Sequence, residues 1–241
     1  MTLRIAMWSG PRNISTAMMR SWENRSDTQV VDEPFYAFYL NKTRSPHPCF
    51  EEILQSQSDN YSQVVSELTK ATCNSNIQYQ KQMTHHMLEG IDLTWSKQLQ
   101  HCFLIRDPAQ VVNSYTNSRG VCSVEDIGIK RQFELYQDIS QISGQDIPII
   151  DSNDVLKDPE RILRLLCERL ELPFMPAMLN WPQGSRTSDG VWAKHWYKSV
   201  DSSSGFAPYS AKHLKLTDEQ LSVVSQVQPF YEQLYAKRIN A

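Results

Sequence analysis

Two short segments of this 241-residue chain carry side chains whose type and spacing suit anion chemistry. In the first, Trp8-Ser9-Gly10-Pro11-Arg12-Asn13-Ile14-Ser15-Thr16, an apolar run stops at Gly-Pro and a helix-like stretch opens at Ser15. Amides at a helix start have no internal partner and point outward, and the helix dipole adds partial positive charge. Such a turn is an anion cradle. Arg12 can reach over a bound group, while Ser15 and Thr16 can donate hydroxyl bonds or cap the helix. In the second segment, His101 to Tyr115, Arg106 ends an apolar run, Asp107-Pro108 opens a helix and Ser114 falls two turns into it. Positions 107 and 114 share a helix face, so Ser114 looks back towards Arg106. An arginine fork and a hydroxyl that converge suit a phosphate monoester. The GxxxxGK[ST] loop is absent, which argues against an ATPase or an ordinary nucleotide kinase.

Proton transfer has two sets of candidates. Asp32-Glu33-Pro34 follows a short strand, which puts Glu33 at the same sheet edge as Arg12, where a carboxylate can accept a proton. Lys81-Gln82-Met83-Thr84-His85-His86 ends another strand, and a neutral histidine there would also suit a base. The adjacent histidines lack a third ligand in a recognisable spacing, so no zinc site and no other metal is expected.

These segments have to be held by strands that alternate with helices. Leu3–Trp8, Gln29–Asp32, Ile77–Met83, Gln100–Ile105 and Ile147–Asp151 read as strands. Ser15–Asn24, Tyr61–Thr72, Pro108–Asn117, Glu125–Ile142, Asp158–Leu172 and Thr217–Arg238 read as helices. Asp158-Pro159 is a capping aspartate before proline, and Thr217 to Gln220 fits a capping box. Residues 43–60 read as a polar loop, and 173–208 as a long ordered loop over a site. The alternation predicts an α/β fold, a central parallel sheet flanked by helices in three layers, over one domain spanning 1–241. In such a sheet ligands sit beyond the carboxyl ends of the strands.

Composition is permissive. Hydrophobic residues are 40% and charged residues 21%, with a formal charge of -3 and no basic block. Neither nucleic acid nor an anionic membrane is expected as a partner, and any anion site must be built locally. No apolar stretch approaches the roughly 20 residues of a membrane span. The start of the chain is too quickly interrupted for a signal peptide. Five scattered cysteines without a CxxC pair point to reduced thiols in a cytoplasmic protein.

Pro11-Arg12 followed by Ser15-Thr16 resembles the 5′-phosphosulfate loop of the sulfotransferase family that uses 3′-phosphoadenosine 5′-phosphosulfate (PAPS). Arg106-Asp107-Pro108 with Ser114 resembles that family's 3′-phosphate site in type, order and spacing. The resemblance covers Leu3 to Tyr115 well and the remainder loosely. It implies a P-loop-like fold in which Gly10, Pro11, Arg12, Asn13, Ile14, Ser15 and Thr16 cradle the reactive end of the donor and Arg106 and Ser114 hold its 3′-phosphate. It implies Glu33 or a histidine of the His85-His86 pair as candidates for the base, with neither as the remaining alternative. Gly184 to Trp196 is similar to the family's closing segment, which would add Arg186 or Lys194 to the cofactor site. Ile14 stands where the family has glycine, and Ala17 where it has an adenine-stacking tryptophan. The reaction implied is metal-free transfer of a sulfuryl group from PAPS to a hydroxyl or amine acceptor, a small molecule, glycan or lipid, with adenosine 3′,5′-bisphosphate as product. Two alternatives stand beside it: a catalytically silent nucleotide- or partner-binding protein on the same fold, and an ATP-dependent phosphoryl transferase.

Overall fold

The computed structural model describes residues 2–211 and 214–239. Five strands, β1 (Leu3–Ser9), β2 (Thr28–Asp32), β3 (Ile77–Met83), β4 (Gln100–Ile105) and β5 (Ile149–Asp151), form one sheet in the order β2-β3-β1-β4-β5. Every pairing is parallel. β1 lies in the middle, so the carboxyl ends of β3, β1 and β4 are side by side. The strand order reverses there, the position at which open parallel sheets form their ligand crevice.

Strands covered on both faces are normally near-continuous apolar runs, as β1 and β4 are. β3 is buried at all seven positions although it reads Ile-Gln-Tyr-Gln-Lys-Gln-Met. Its glutamines share one face and satisfy one another: Gln82 Nε2 donates to Gln80 Oε1 at 3.1 Å and Gln80 Nε2 to Gln78 Oε1 at 2.9 Å. Lys81 points to the other face, where only a charged partner makes its burial tolerable.

Twelve α-helices accompany the sheet among the described residues. On one face pack α1 (Ser15–Glu23), α2 (Tyr36–Thr43), α3 (Phe50–Ser56), α8 (Ser152–Lys157) and α9 (Pro159–Arg169). On the other pack α4 (Tyr61–Lys70), α5 (Pro108–Arg119), α6 (Val124–Ile127), α7 (Ile129–Ser143) and the terminal α12 (Asp218–Tyr235). Two short helices, α10 (Ala193–Trp196) and α11 (Lys198–Asp201), lie in the long segment after α9. The two cores are built on opposite sides of β1, one around Met7, Trp22 and Tyr79, the other around Trp8, Phe103 and Leu135. No helix among the described residues is long and apolar enough to cross a membrane.

The expected caps are present: Asp158 accepts from the Arg161 amide at 3.1 Å, and Thr217 and Gln220 form a reciprocal box. Two expectations are corrected. Residues 43–60 are not all loop, because Ile53 fills the α1/α2 core and draws α3 into place. The helix expected over Glu125–Ile142 is two helices. Gly128, at φ 64°, breaks it with the left-handed conformation that glycine adopts freely. A Cβ at that position would stand 3.6 Å from both His85 Cβ and Pro11 Cδ, so the break lets the α6–α7 corner close against the turn after β1.

Candidate functional site

The turn after β1 leaves the middle of the sheet and enters α1. Gly10 is needed for close approach, since a Cβ there would lie 3.2 Å from the Ile127 carbonyl oxygen. Pro11 faces Gly128, and Arg12 takes a left-handed φ of 57°, which bends the chain back before the helix. Asn13 fixes the turn: its Nδ2 donates to the Leu104 carbonyl at 2.9 Å and its Oδ1 accepts from the Ile14 amide at 2.8 Å. Ile14 is the N-cap residue and offers no side-chain cap. Among the described residues the amides of Ser15, Thr16 and Ala17 have no hydrogen-bond partner, so the positive end of α1 is open.

Arg12 and Ser114 are 102 positions apart in sequence, and here Arg12 Nε donates to Ser114 Oγ at 3.1 Å. Arg106 comes from the end of β4 and donates to the Arg12 backbone carbonyl, and its Nε reaches Gln110 Oε1 at 3.2 Å. Neither guanidinium has a carboxylate partner within ion-pair distance among the described residues. Burial, and then the neighbouring cation, lower both pKa values: Arg119 acts on Arg12, and Arg12 acts on Arg106. Two partly buried arginines that are close together and lack a carboxylate partner can hold an anion. Arg119 extends it, lying over the Trp196 ring at 4.7 Å and the Tyr115 ring at 5.7 Å.

A pocket of about 470 Å³ opens beside Arg12, and Ser118, His195, Trp196, Lys198, Ser199 and Ser202 complete its wall. A larger cavity, about 600 Å³, lies beside Ile147 and Pro148 just before β5. It is at the amino edge of the sheet, and its Arg169 and Arg238 are neutralised by Asp146 and Asp154. The smaller pocket is the one that meets the chemistry.

Glu33 and the histidines stand at the ends of β2 and β3. Lys81 Nζ is fully buried and donates to Glu33 Oε1 at 2.5 Å, to Asp32 Oδ1 at 2.9 Å and to the Tyr197 hydroxyl at 2.6 Å. Burial raises the Glu33 pKa and Asp32 adds to the rise, while Lys81 opposes it. For Lys81, burial favours loss of the proton, but Asp32 and Glu33 outweigh it and hold the ammonium well above the usual lysine value. His86 is stacked between Tyr36 at 4.4 Å and Tyr39 at 4.9 Å, and its Nε2 is 3.8 Å from Glu33 Oε2. Burial lowers the His85 pKa to about 4 and takes that of His86 well below the ordinary value, so both rings are neutral at pH 7. Both His86 ring nitrogens and His85 Nδ1 are buried without a partner.

Arg186 and Lys194, expected at the nucleotide, are placed elsewhere. Arg186 faces Glu23 at 3.8 Å and donates to carbonyls of its own loop, at the end of α1 about 12 Å from its open start. Lys194 pairs with Glu52 of α3. The reason is Arg20: buried to 1% exposure, it grips Asp189 through two bonds of 2.6 and 2.8 Å and so anchors the loop beside the far half of α1. Lys198, Ser199 and Ser202 line the pocket beside Arg12 in their stead. Sequence reasoning also passed over Lys81 and Tyr197. The signal for Lys81 was present, since a lysine within a strand that both neighbours cover demands a buried acid. Lys198 and Tyr197 carry no such signal, because only the folding of 173–208 brings them to the sheet edge.

Residues 3–238 match the sulfotransferase domain family. Two relatives from Arabidopsis thaliana are the branched-chain-amino-acid aminotransferase-like proteins 1 and 2, 36% and 32% identical over 203 residues. The match covers 84% of this chain but 36% of each relative, so the chain spans about a third of their length. Among solved structures, the sulfotransferase domain from the curacin biosynthetic pathway aligns with a TM-score of 0.57 and 15% identity, over 95% of this chain and 98% of that one. A sulfotransferase from Alicyclobacillus acidocaldarius aligns with a TM-score of 0.55 and 9% identity, over 100% and 98%. The sulfotransferase domain of the Synechococcus PCC 7002 olefin synthase gives 0.54 and 13%, over 94% and 95%. At these identities the structural matches speak for the fold.

Proposed function

The chain belongs to the sulfotransferase domain family, and we propose that it transfers a sulfuryl group from PAPS to a hydroxyl or amine acceptor. One observation carries this reading: Arg12, Arg106 and Ser114 meet at the open start of α1 with no carboxylate among them. The residues present fit the donor. Three unpartnered helix amides and Arg12 suit its phosphosulfate end, and Arg106 with Ser114 suits its 3′-phosphate. Trp196 and Lys198 wall a pocket of nucleotide size next to Arg12.

PAPS when bound supplies the sulfuryl group. In the transfer the acceptor oxygen or nitrogen bonds to sulfur as the bridging S–O bond breaks, and that electron pair leaves on the nucleotide's 5′-phosphate. Arg12 and the amides of Ser15 to Ala17 stabilise the charge that grows on the bridging oxygen, a preorganised effect worth several kcal/mol in other enzymes. Glu33 takes the acceptor proton on Oε2, the oxygen that Lys81 does not hold. It is the better base of the candidates, because burial makes its carboxylate more basic and the buried histidines less so. Arg186 and Lys194 have no part in this reading.

The test is ligand-induced stabilisation. Adenosine 3′,5′-bisphosphate is expected to raise the melting temperature well above the shift given by ATP, and Arg106→Ala to abolish the difference. Equal shifts for the two ligands would sink the assignment. A binding protein without turnover is the reading that the Ile14 amide favours, since Asn13 Oδ1 already occupies it. Tight bisphosphate binding with no sulfate transfer to a broad acceptor panel would decide for that second reading.

A further inference from the structure

The buried group at the ends of β2 and β3 holds one ammonium and two carboxylates. Asp32 is the more fully engaged acid: Tyr197 donates its hydroxyl to Oδ2 at 2.7 Å, the Gly190 amide donates to Oδ2 at 3.1 Å, and Lys81 reaches Oδ1 at 2.9 Å. The Tyr197 oxygen in turn accepts from Lys81 at 2.6 Å and from Trp192 Nε1 at 3.1 Å, so every polar atom of that corner has a partner. Glu33 is held by one oxygen only. Its Oε2 has no hydrogen bond among the described residues and faces His86. The backbone at Glu33 is itself constrained, at φ 41°, and Gln57 Nε2 donates to its carbonyl at 3.2 Å.

We propose that Lys81 is a positioning residue for the reaction: anchored by Asp32 and Tyr197, it holds Glu33 as a carboxylate with Oε2 turned out to receive the acceptor proton. The proposal rests on reading Glu33 as the base. It also couples two parts of the site. Tyr197 links α10 to α11, the helices that wall the Arg12 pocket, so the segment that closes the nucleotide pocket is the same one that pins Lys81.

The groups facing Glu33 are Asp32 beside it, Lys81 from β3, His86 from the turn after β3, Tyr36 from α2 and Tyr197. The two histidines are neutral and Tyr36 is held protonated, chiefly by burial and then by the charge of Glu33. Lys81 and Asp32 are therefore the charges that set its titration, and they act in opposite directions. Removing the cation must raise the pH at which Glu33 ionises, and removing the neighbouring anion must lower it. A side chain with only a packing role predicts no such pair of opposite shifts.

The experiment titrates the Glu33 carboxyl stretch by infrared difference spectroscopy, assigned by its loss in Glu33→Gln, in wild type, Lys81→Met, Asp32→Asn and Tyr197→Phe. The expected result is a midpoint at least one pH unit higher in Lys81→Met and lower in Asp32→Asn. With PAPS and a turned-over acceptor, the acidic limb of the kcat profile follows the same order, and kcat at pH 7 in Lys81→Met falls about tenfold or more. Equal midpoints in wild type and Asp32→Asn overturn the proposal, and Asp32→Asn decides it if Lys81→Met does not fold. Unchanged turnover in Glu33→Gln would remove Glu33 as the base, and the infrared midpoints would still decide what Lys81 does to it.

Discussion

Replacing Arg12 by glutamine separates a ligand-binding role from a structural one, because the two predict opposite balances of stability and affinity. In the free protein the Arg12 side chain makes one hydrogen bond, to Ser114 Oγ at 3.1 Å, and sits near two other cations with no anion to offset them. Losing that bond costs about 1 kcal/mol. Relief of repulsion returns about 1 kcal/mol once solvent screening of a half-buried pair is allowed for. The free protein should thus melt within about 3 °C of wild type. The bound state loses a hydrogen bond between a guanidinium and an anion, about 2–3 kcal/mol, so the dissociation constant of adenosine 3′,5′-bisphosphate should rise roughly 30- to 150-fold. Calorimetric titration measures the second quantity and thermal unfolding the first. A variant that melts 10 °C lower while binding the bisphosphate as wild type does would show Arg12 to be a structural arginine and refute the reasoning.

Two further outcomes follow from buried charge away from the Arg12 pocket. Arg20→Met leaves Asp189 at 5% side-chain exposure with no cation to neutralise it, which should cost about 3–5 kcal/mol, lower the melting temperature by about 10 °C, and loosen the loop from 184 to 201 to protease. A melting change under 2 °C would show that the Arg20–Asp189 pair does not anchor that loop. Burial raises the Asp151 pKa to about 6, although the Asn153 amide at 2.8 Å and the Tyr231 hydroxyl at 3.0 Å both donate to it. A carboxyl whose folded pKa lies above its unfolded one binds more protons in the native state. Its contribution therefore declines as pH rises from about 4 to about 6, by up to about 3 kcal/mol. The difference in unfolding free energy between wild type and Asp151→Asn should change by that amount across the window, and a constant difference would contradict it.

The fold and the turn between β1 and α1 were legible in the sequence because their determinants are local. Strand bounds at Ile77–Met83 and Gln100–Ile105, the Asp158 cap and the Thr217–Gln220 box depend on residues within a few positions of one another. The same holds for Gly10-Pro11-Arg12 and for Arg106 with Ser114, each pair set by one strand end and the helix that follows. Gly128 was legible in kind but missed in effect, since a glycine within a helical pattern breaks the helix only where packing requires it to.

What the chain could not reveal by itself is which distant charges meet. Arg186 and Lys194 have the composition of nucleotide-binding residues, but the Arg20–Asp189 clamp holds their loop along α1, and Lys198 stands at the pocket in their place. The base was likewise ambiguous between Glu33 and the histidine pair. Tertiary burial acts on them in opposite directions, because removal from water strengthens a carboxylate as a base and weakens an imidazole. Local chemistry settles elements and turns, while the Lys81 ion pairs with Asp32 and Glu33, and the Tyr197 hydrogen bonds to Lys81 and Asp32, exist only after the sheet has formed and a late loop has folded over its edge.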